Sequence, residues 1–343
     1  TFRFLDPPRC FRAHLMRIVL LSLMFSVCCM PSYAQDKKQP VLDPAKAGTD
    51  FGIQGEYSGT VGDVKIGIQV IADGGGKFRS VGYIGGLPGD GFDGTPEKKI
   101  PGTGVMEGDR CVLTPSNPDH VARGEIKDGN LTMYDKDNVK VAEFVKVKRE
   151  SPTLGLKPPE GAVVLFDGTT ADNFENGRMS EDKLLMEGVT SKQKFGSYKL
   201  HMEFLLSYMP YAQGQGRANS GCYHQGRYEV QILDSFGLTG EDNECGGIYK
   251  IARPKTNMCF PPLSWQTYDA EFHAAEYDTD GKKMKNAWVT VKHNNVLIHE
   301  NQELPHGTTA APVKEGPENG PLFLQNHGNP IRFRNIWIQP ISG

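Results

Sequence analysis

Half of the chain's glycines fall in one short stretch, and that concentration limits the architecture more than any other feature. Of 40 glycines, 20 lie between Gly48 and Asn130. They interleave with alternating runs such as Val64-Lys65-Ile66-Gly67-Ile68-Gln69-Val70-Ile71 and Lys77-Phe78-Arg79-Ser80-Val81-Gly82-Tyr83-Ile84. Glycine is a poor helix former, so these period-2 runs read as strands separated by turns. Ala72-Asp73-Gly74-Gly75-Gly76 has the chemistry of a hairpin turn, and later strands are expected at 110–114, 121–127, 130–134 and 141–148. Residues 48–150 thus predict a small antiparallel barrel or sandwich, with the glycine excess assigned to turns and bulges. Neither Gly74-Gly75-Gly76 nor Gly85-Gly86-Leu87-Pro88-Gly89 leads into a helix start or a Lys-Ser/Thr pair, so neither is a phosphate cradle. This half shows no catalytic constellation.

The second half has a different character. Residues 151–159 form a linker stiffened by Pro152, Pro158 and Pro159, and Trp265, Trp288 and Trp337 all lie beyond it. Tyr198, Leu200, Met202 and Phe204 alternate with polar residues, as do the residues of 287–292, which is the pattern of half-buried strands. No segment gives a convincing helix of three turns. The expected fold class is all-β, with residues 160–343 forming a two-sheet sandwich whose concave sheet face is polar.

One apolar run, residues 18–30, is too short to span a membrane comfortably. Met16-Arg17 before it and Ser32-Tyr33-Ala34 after it read as an export signal cleaved after Ala34, with Met16 as the initiator. No stable membrane insertion is expected after cleavage, and the protein is expected to be periplasmic or secreted. Polar residues 35–47 read as a disordered tether, with order beginning near Phe51. Without residues 1–34 the chain carries 34 basic and 40 acidic side chains, a net of −6. That balance lacks the basic block a nucleic acid requires and suits a neutral ligand. Cys111, Cys222, Cys245 and Cys259 remain; export permits a disulfide, and Cys245 with Cys259 is the expected pairing. The absence of CxxC argues against a disulfide framework and a zinc site.

Arg227-Tyr228-Glu229-Val230-Gln231-Ile232-Leu233-Asp234-Ser235 is the most informative run. Tyr228, Val230 and Ile232 are expected in the core, with Glu229 and Gln231 on the opposite, solvent-side face. A β-bulge at Ile232-Leu233 would return Asp234 to that face, setting two carboxyls at a separation suited to acid/base work on a glycoside. Ordinary charges on a solvated strand face remain an alternative. Upstream, Asn219 and His224 offer hydrogen bonds, and Gly221 allows close approach of a backbone or sugar ring. Downstream, Gln325 and His327 are expected on one strand face opposite Leu322 and Leu324, with Arg332 reaching the cleft and Arg334 a structural hydrogen-bonder.

The ordered series Phe195-Gly196-Ser197-Tyr198, Asn219-Ser220-Gly221, Tyr228 to Asp234, Gly246-Gly247-Ile248-Tyr249, Trp265-Gln266-Thr267-Tyr268, Leu322 to Gly328 and Phe333-Arg334-Asn335-Ile336 resembles the 3-keto-disaccharide hydrolase family. The likeness covers about Gly161 to Pro340 and leaves out the glycine-rich first half. It implies a concanavalin-A-like jelly roll with a sugar cleft on the concave sheet. Where the family usually has Asn-Gly, this chain has Asn294-Asn295, which still permits a left-handed turn. The implied substrate is an oligosaccharide or glycoside oxidised at C3, supplied by a sugar 3-dehydrogenase. A ketone there acidifies the C2 proton, so a base can remove it and the C1 substituent leaves by elimination, followed by water addition. On this reading Glu229 or His327 is the base and Asp234 the acid or orienter. Asn219, His224, Gln231, Gln325 and Arg332 contact substrate. The only cofactor suggested is a divalent metal on Glu229, Asp234 and His327, which would stabilise an enolate. Two other readings stay open. One is a retaining glycosidase on the same fold, weakened by Gln231 and Asp234 where glucanase jelly rolls carry Asp and Glu. The other is a non-catalytic carbohydrate-binding module relying on Trp265, Tyr223 and Tyr228.

Overall fold

A computed structural model describes residues 39–118 and 121–341; the proposed export signal lies outside the described residues. The first domain is a closed antiparallel barrel. Its strands are β1 (Gly55–Val61), β2 (Val64–Gly74), β3 (Lys77–Ile84), β4 (Lys99–Glu107), β5 (Arg110–Pro115), β6 (Arg123–Lys127), β7 (Asn130–Tyr134) and β8 (Lys140–Val147), each pairing with its sequence neighbour, and β8 closing on β1. The three glycines at 74–76 turn β2 into β3 with positive φ throughout. Inward positions alternate along every strand and build a core of Tyr57, Ile68, Val70, Phe78, Leu113, Ile126, Leu131 and Phe144.

β1 and β4 were not expected from the sequence, and the reason corrects the reading of the glycines. Gly59, Gly104 and Gly124 are not turn residues; they sit within strands. A Cβ at these positions would lie 2.8 Å from the Phe144 ring, 2.6 Å from Leu113 Cδ2 and 2.8 Å from Leu131 Cδ1. They are the small partners that let large neighbours interdigitate inside a narrow barrel.

Residues 41–47, expected as part of a disordered tether, are instead docked. Val41 exchanges backbone hydrogen bonds with Tyr208 (3.0 and 2.8 Å), and Asp43 Oδ1 accepts from Ala45 N to start a short 3₁₀ turn. A one-and-a-half-turn helix, α1 (Gly48–Ile53), follows. Asp50 accepts from Gly76 N at the β2–β3 turn, and Lys146 at the end of β8 donates to Gly52 O. The helix therefore lies across one barrel end, where Phe51 and Ile53 join Tyr208 and Leu263 in the barrel core.

Two antiparallel sheets facing one another form the second domain, a concanavalin-A-like jelly roll. The larger sheet has β9 (Val163–Phe166), β11 (Leu185–Met186), β13 (Tyr198–Leu206), β16 (Trp265–His273), β17 (Ala287–His293), β18 (Val296–Leu304) and β20 (Ile331–Pro340). Its order is β9-β20-β13-β16-β17-β18, with β11 also on β20. The smaller has β10 (Phe174–Glu175), β12 (Val189–Phe195), β14 (Ser220–His224), β15 (Tyr228–Ile232) and β19 (Gly320–Leu324), in the order β10-β12-β19-β14-β15. Leu200, Met202 and Phe204 of one sheet meet Cys222, Val230 and Ile232 of the other in the shared core. Asn294 and Asn295 both take positive φ, 50° and 66°, as the β17–β18 turn requires.

The linker is strapped onto the outer face of the larger sheet. Glu203 Oε1 accepts from Gly155 N at 2.6 Å, Ser151 Oγ lies 2.7 Å from Thr267 Oγ1, and Trp337 Nε1 donates to Leu156 O at 3.1 Å. Beneath it His201 is buried, which disfavours its charge, but bonds to Asp269 and Glu203 outweigh burial and raise its pKa. Arg334 pairs with Glu203 at 2.6 Å, as the structural role expected of it.

Barrel and sandwich also share side chains. Ile71 of β2 belongs to the sandwich core, and the Arg217 guanidinium donates to Ala72 O at 3.2 and 3.3 Å. All four described cysteines are buried free thiols, so the expected Cys245–Cys259 bridge is not formed. Cys245 Sγ instead lies 3.3 Å from the Tyr268 hydroxyl, and Cys259 Sγ donates to Leu233 O at 3.5 Å.

Candidate active site

The site is built on the hairpin of β14 and β15. Gln225 and Gly226 both take positive φ, 51° and 65°, and close it in a register that pairs Tyr223 with Glu229 and Gly221 with Gln231. Alternation then divides the hairpin cleanly. Cys222, Tyr228, Val230 and Ile232 enter the core, while Gly221, Tyr223, Glu229 and Gln231 share the opposite face. That division matches the expectation for Glu229 and Gln231, but their surroundings do not. Glu229 is 3% exposed and Gln231 2%, because the loops carrying Thr308, Gln215 and Asn243 cover them. A solvated strand face is ruled out.

Burial has a chemical consequence. Desolvation disfavours the carboxylate and pushes the Glu229 pKa up to about 7, with the Tyr223 hydroxyl pulling it partly back, so proton exchange is poised near neutrality. The carboxylate fits there because residue 221 is glycine: a Cβ would stand 2.2 Å from Glu229 Oε1. Gln325 extends the sheet beyond β19, its N donating to Gly221 O at 2.9 Å and its Nε2 to the Tyr223 hydroxyl at 3.2 Å. Opposite lies an amide cluster. Asn219 Nδ2 donates to Gln215 O (2.7 Å) and Oε1 (3.1 Å), and Gln231 Nε2 donates to the same Oε1 at 3.0 Å. Asn219 Oδ1 is buried without a partner among the described residues.

Other expected site residues are placed elsewhere. The β14–β15 register is regular and β15 ends at Ile232, so the bulge does not form. Asp234 lies beyond the strand, buried, with Oδ2 accepting from Arg217 Nε at 2.6 Å; its carboxylate serves a structural ion pair. His327 is exposed in the loop after β19, which ends at Leu324, and does not share a strand face with Gln325. Arg332 is held by Glu187 Oε2 at 3.0 Å and by its neighbour's carbonyl, Ile331 O, at 3.0 Å. The three candidate metal ligands are therefore not brought together, and no group of three or more His, Cys, Asp or Glu side chains suited to a metal occurs among the described residues.

His224 corrects a further expectation. Its parity sets it on the core side of β14, stacked on Phe272 with ring centroids 5.2 Å apart and Nδ1 3.0 Å from the Tyr198 hydroxyl. Burial lowers its pKa from 6.5 to about 3. The folded state thus resists a proton that the unfolded chain accepts, and the stability this contributes is present above pH 6.5 and lost as pH falls towards 3. His224→Phe should leave KM unchanged and flatten the decline in melting temperature on acidification, which thermal melts between neutral and acid pH would read. A raised KM would return His224 to the substrate contacts.

Gln215 and Thr308 were missed as site residues, and Tyr223 was expected only as a contact of a binding module. Its place beside Glu229 had a signal, since Gly221 and Tyr223 alternate with the core residue Cys222. Gln215 and Thr308 come from irregular segments and had none.

A model of the 3-keto-alpha-glucoside-1,2-lyase-like domain matches residues 161–339. Three solved structures from Parabacteroides distasonis, each provisionally described as a glycosyl hydrolase, are each similar to about half of the chain. One is 31% identical, covering 53% of this chain and 85% of its own, with a TM-score of 0.47. The second is 19% identical, covering 53% and 95% with a TM-score of 0.38. The third is 20% identical, covering 52% and 99% with a TM-score of 0.38. Comparison with curated proteins gave no match.

Proposed function

The chain belongs, through residues 161–339, to the 3-keto-alpha-glucoside-1,2-lyase-like domain family, and from that premise we propose that it cleaves the glycosidic bond of a 3-keto-glycoside with Glu229 as the base. The observation carrying this reading is a single desolvated carboxyl with a pKa near 7, set among uncharged hydrogen-bonding groups. A C3 ketone makes the C2 proton removable. Glu229 takes that proton, the C2–H electrons form the enolate, and collapse of the enolate breaks the bond from C1 to the aglycone oxygen. The departing oxygen takes up a proton, and water added across C1 and C2 completes a net hydrolysis.

Tyr223 and Gln325 stand beside the base as polar contacts for the developing oxyanion. Gln231 and the unpartnered acceptor of Asn219 supply contacts for sugar hydroxyls. Substrate of this kind must come from an oxidation at C3, the work of a sugar 3-dehydrogenase. The apolar run behind Arg17 and the Ala34 cleavage pattern support action in the periplasm or outside the cell.

A retaining glycosidase would need a second carboxyl about 5 Å from the first, and Asp234 is committed to Arg217. A binding module would have no use for a carboxyl held near neutrality. The test is to incubate the protein with paired native and 3-keto disaccharides, with and without chelator. Aglycone release and an unsaturated 3-keto product from the oxidised member alone is the expected result. Equal cleavage of both would favour the glycosidase, and binding without cleavage the module.

A further inference from the structure

The barrel is filled at one end and hollow at the other. At the end covered by α1, the inward side chains Tyr57, Val70, Phe78 and Leu131 are fully buried. Towards the opposite end the inward positions include Ser80 and Gly82, where a filled eight-stranded barrel carries large side chains. This leaves a cavity of about 350 Å³. Its walls are the branched side chains of Val64, Ile66, Ile84 and Ile100, with Met133 across from them; among the described lining residues none is charged, and Ser80 and Asn117 alone carry polar side chains. Val64 is 47% exposed, and Ile66, Ile84 and Ile100 are half-buried. Inward apolar groups that still meet solvent mark this end as the mouth.

Such a space is poorly suited to water, which needs two to four polar partners, and an apolar cavity of roughly 150 Å³ already accepts benzene. An unfilled void also forfeits dispersion contacts on every wall. The geometry points to a binding site in the barrel for an uncharged apolar chain, alkyl or acyl, entering end-on past Val64. The site is separate from Glu229 and its neighbours and independent of the chemistry proposed there. Gly82 makes the room: a Cβ on it would meet only Ile100, at 3.6 Å, and its φ lies outside the left-handed region. A large side chain at 82 can occupy the cavity without backbone strain.

The test uses the full chain and the neutral fluorescent probe N-phenyl-1-naphthylamine. Saturable enhancement that decanol displaces, together with a higher melting temperature in decanol, is expected. Gly82→Phe should weaken probe binding by at least about tenfold, and Gly82→Leu less, with circular dichroism preserved and unliganded melting temperatures at or above that of the parent. Glu229→Gln should bind the probe normally. Sedimentation with phosphatidylcholine vesicles, lost in Gly82→Phe, would assign the chain to a lipid; displacement by decanol without vesicle binding would assign it to a soluble molecule. No saturable binding, or undiminished binding by folded Gly82→Phe and Gly82→Leu proteins, overturns the site.

Discussion

Glu229→Gln is expected to lower turnover of a 3-keto-glycoside by about 10³-fold, within the range a positioned general base contributes, and at the same time to stabilise the protein above neutral pH. The two effects have one origin. The Glu229 pKa stands at about 7 against an ordinary 4.5, so the folded state holds the proton more tightly than the unfolded chain does. Ionising the carboxyl in place therefore erodes stability as pH rises from 4.5 through 7, by on the order of 3 kcal/mol once ionisation is complete. Glutamine keeps the shape and stays neutral throughout. Turnover by the unsubstituted protein should climb with pH through about 7 and then level, because only the ionised carboxyl is a base. Urea titrations at about pH 8, set beside kcat measurements, would check both halves. Unchanged turnover in Glu229→Gln would remove the residue from the mechanism.

Asp234→Ala is expected to destabilise the protein by roughly 3–5 kcal/mol, the usual consequence of stripping one partner from a buried ion pair. The side chains of Arg217 and Asp234 are 4% and 1% exposed, so the guanidinium would be left charged and dry. Against a typical total of about 5–15 kcal/mol, that loss shows clearly in denaturant melts. Replacing both residues, Arg217→Met with Asp234→Leu, should recover much of it, since an apolar pair of similar volume often substitutes for a buried ion pair without loss. The double variant should retain turnover. Loss of turnover in a folded double variant would restore Asp234 to the chemistry.

What could be read in the sequence was whatever depended on strand parity. Tyr228, Val230 and Ile232 on one face and Glu229 and Gln231 on the other follow from alternation alone. The same parity, carried across the hairpin, puts His224 with Tyr228 on the core side; a histidine's chemical versatility obscured that. Asp234 was out of reach because its partner, Arg217, is fixed by tertiary structure. The burial of Glu229 and Gln231 was equally hidden, since Thr308 reaches the first, and Gln215 and Asn243 the second, from loops. In the barrel, β1 and β4 went unrecognised because glycines that make room for Phe144 and Leu113 look the same in a sequence as glycines that make turns.

The exchange of side chains between barrel and sandwich also bears on how the family's domain can be isolated. A chain trimmed to residues 161–339 would keep every hydrogen bond among Glu229, Tyr223, Gln231 and Gln325. It would also lose Ile71 from its core and the Ala72 carbonyl from Arg217, and it would bare Tyr208, now covered by Phe51 at a ring separation of 5.2 Å. The segment defined by sequence likeness is thus smaller than the unit that excludes water, and soluble expression would call for the barrel to travel with it.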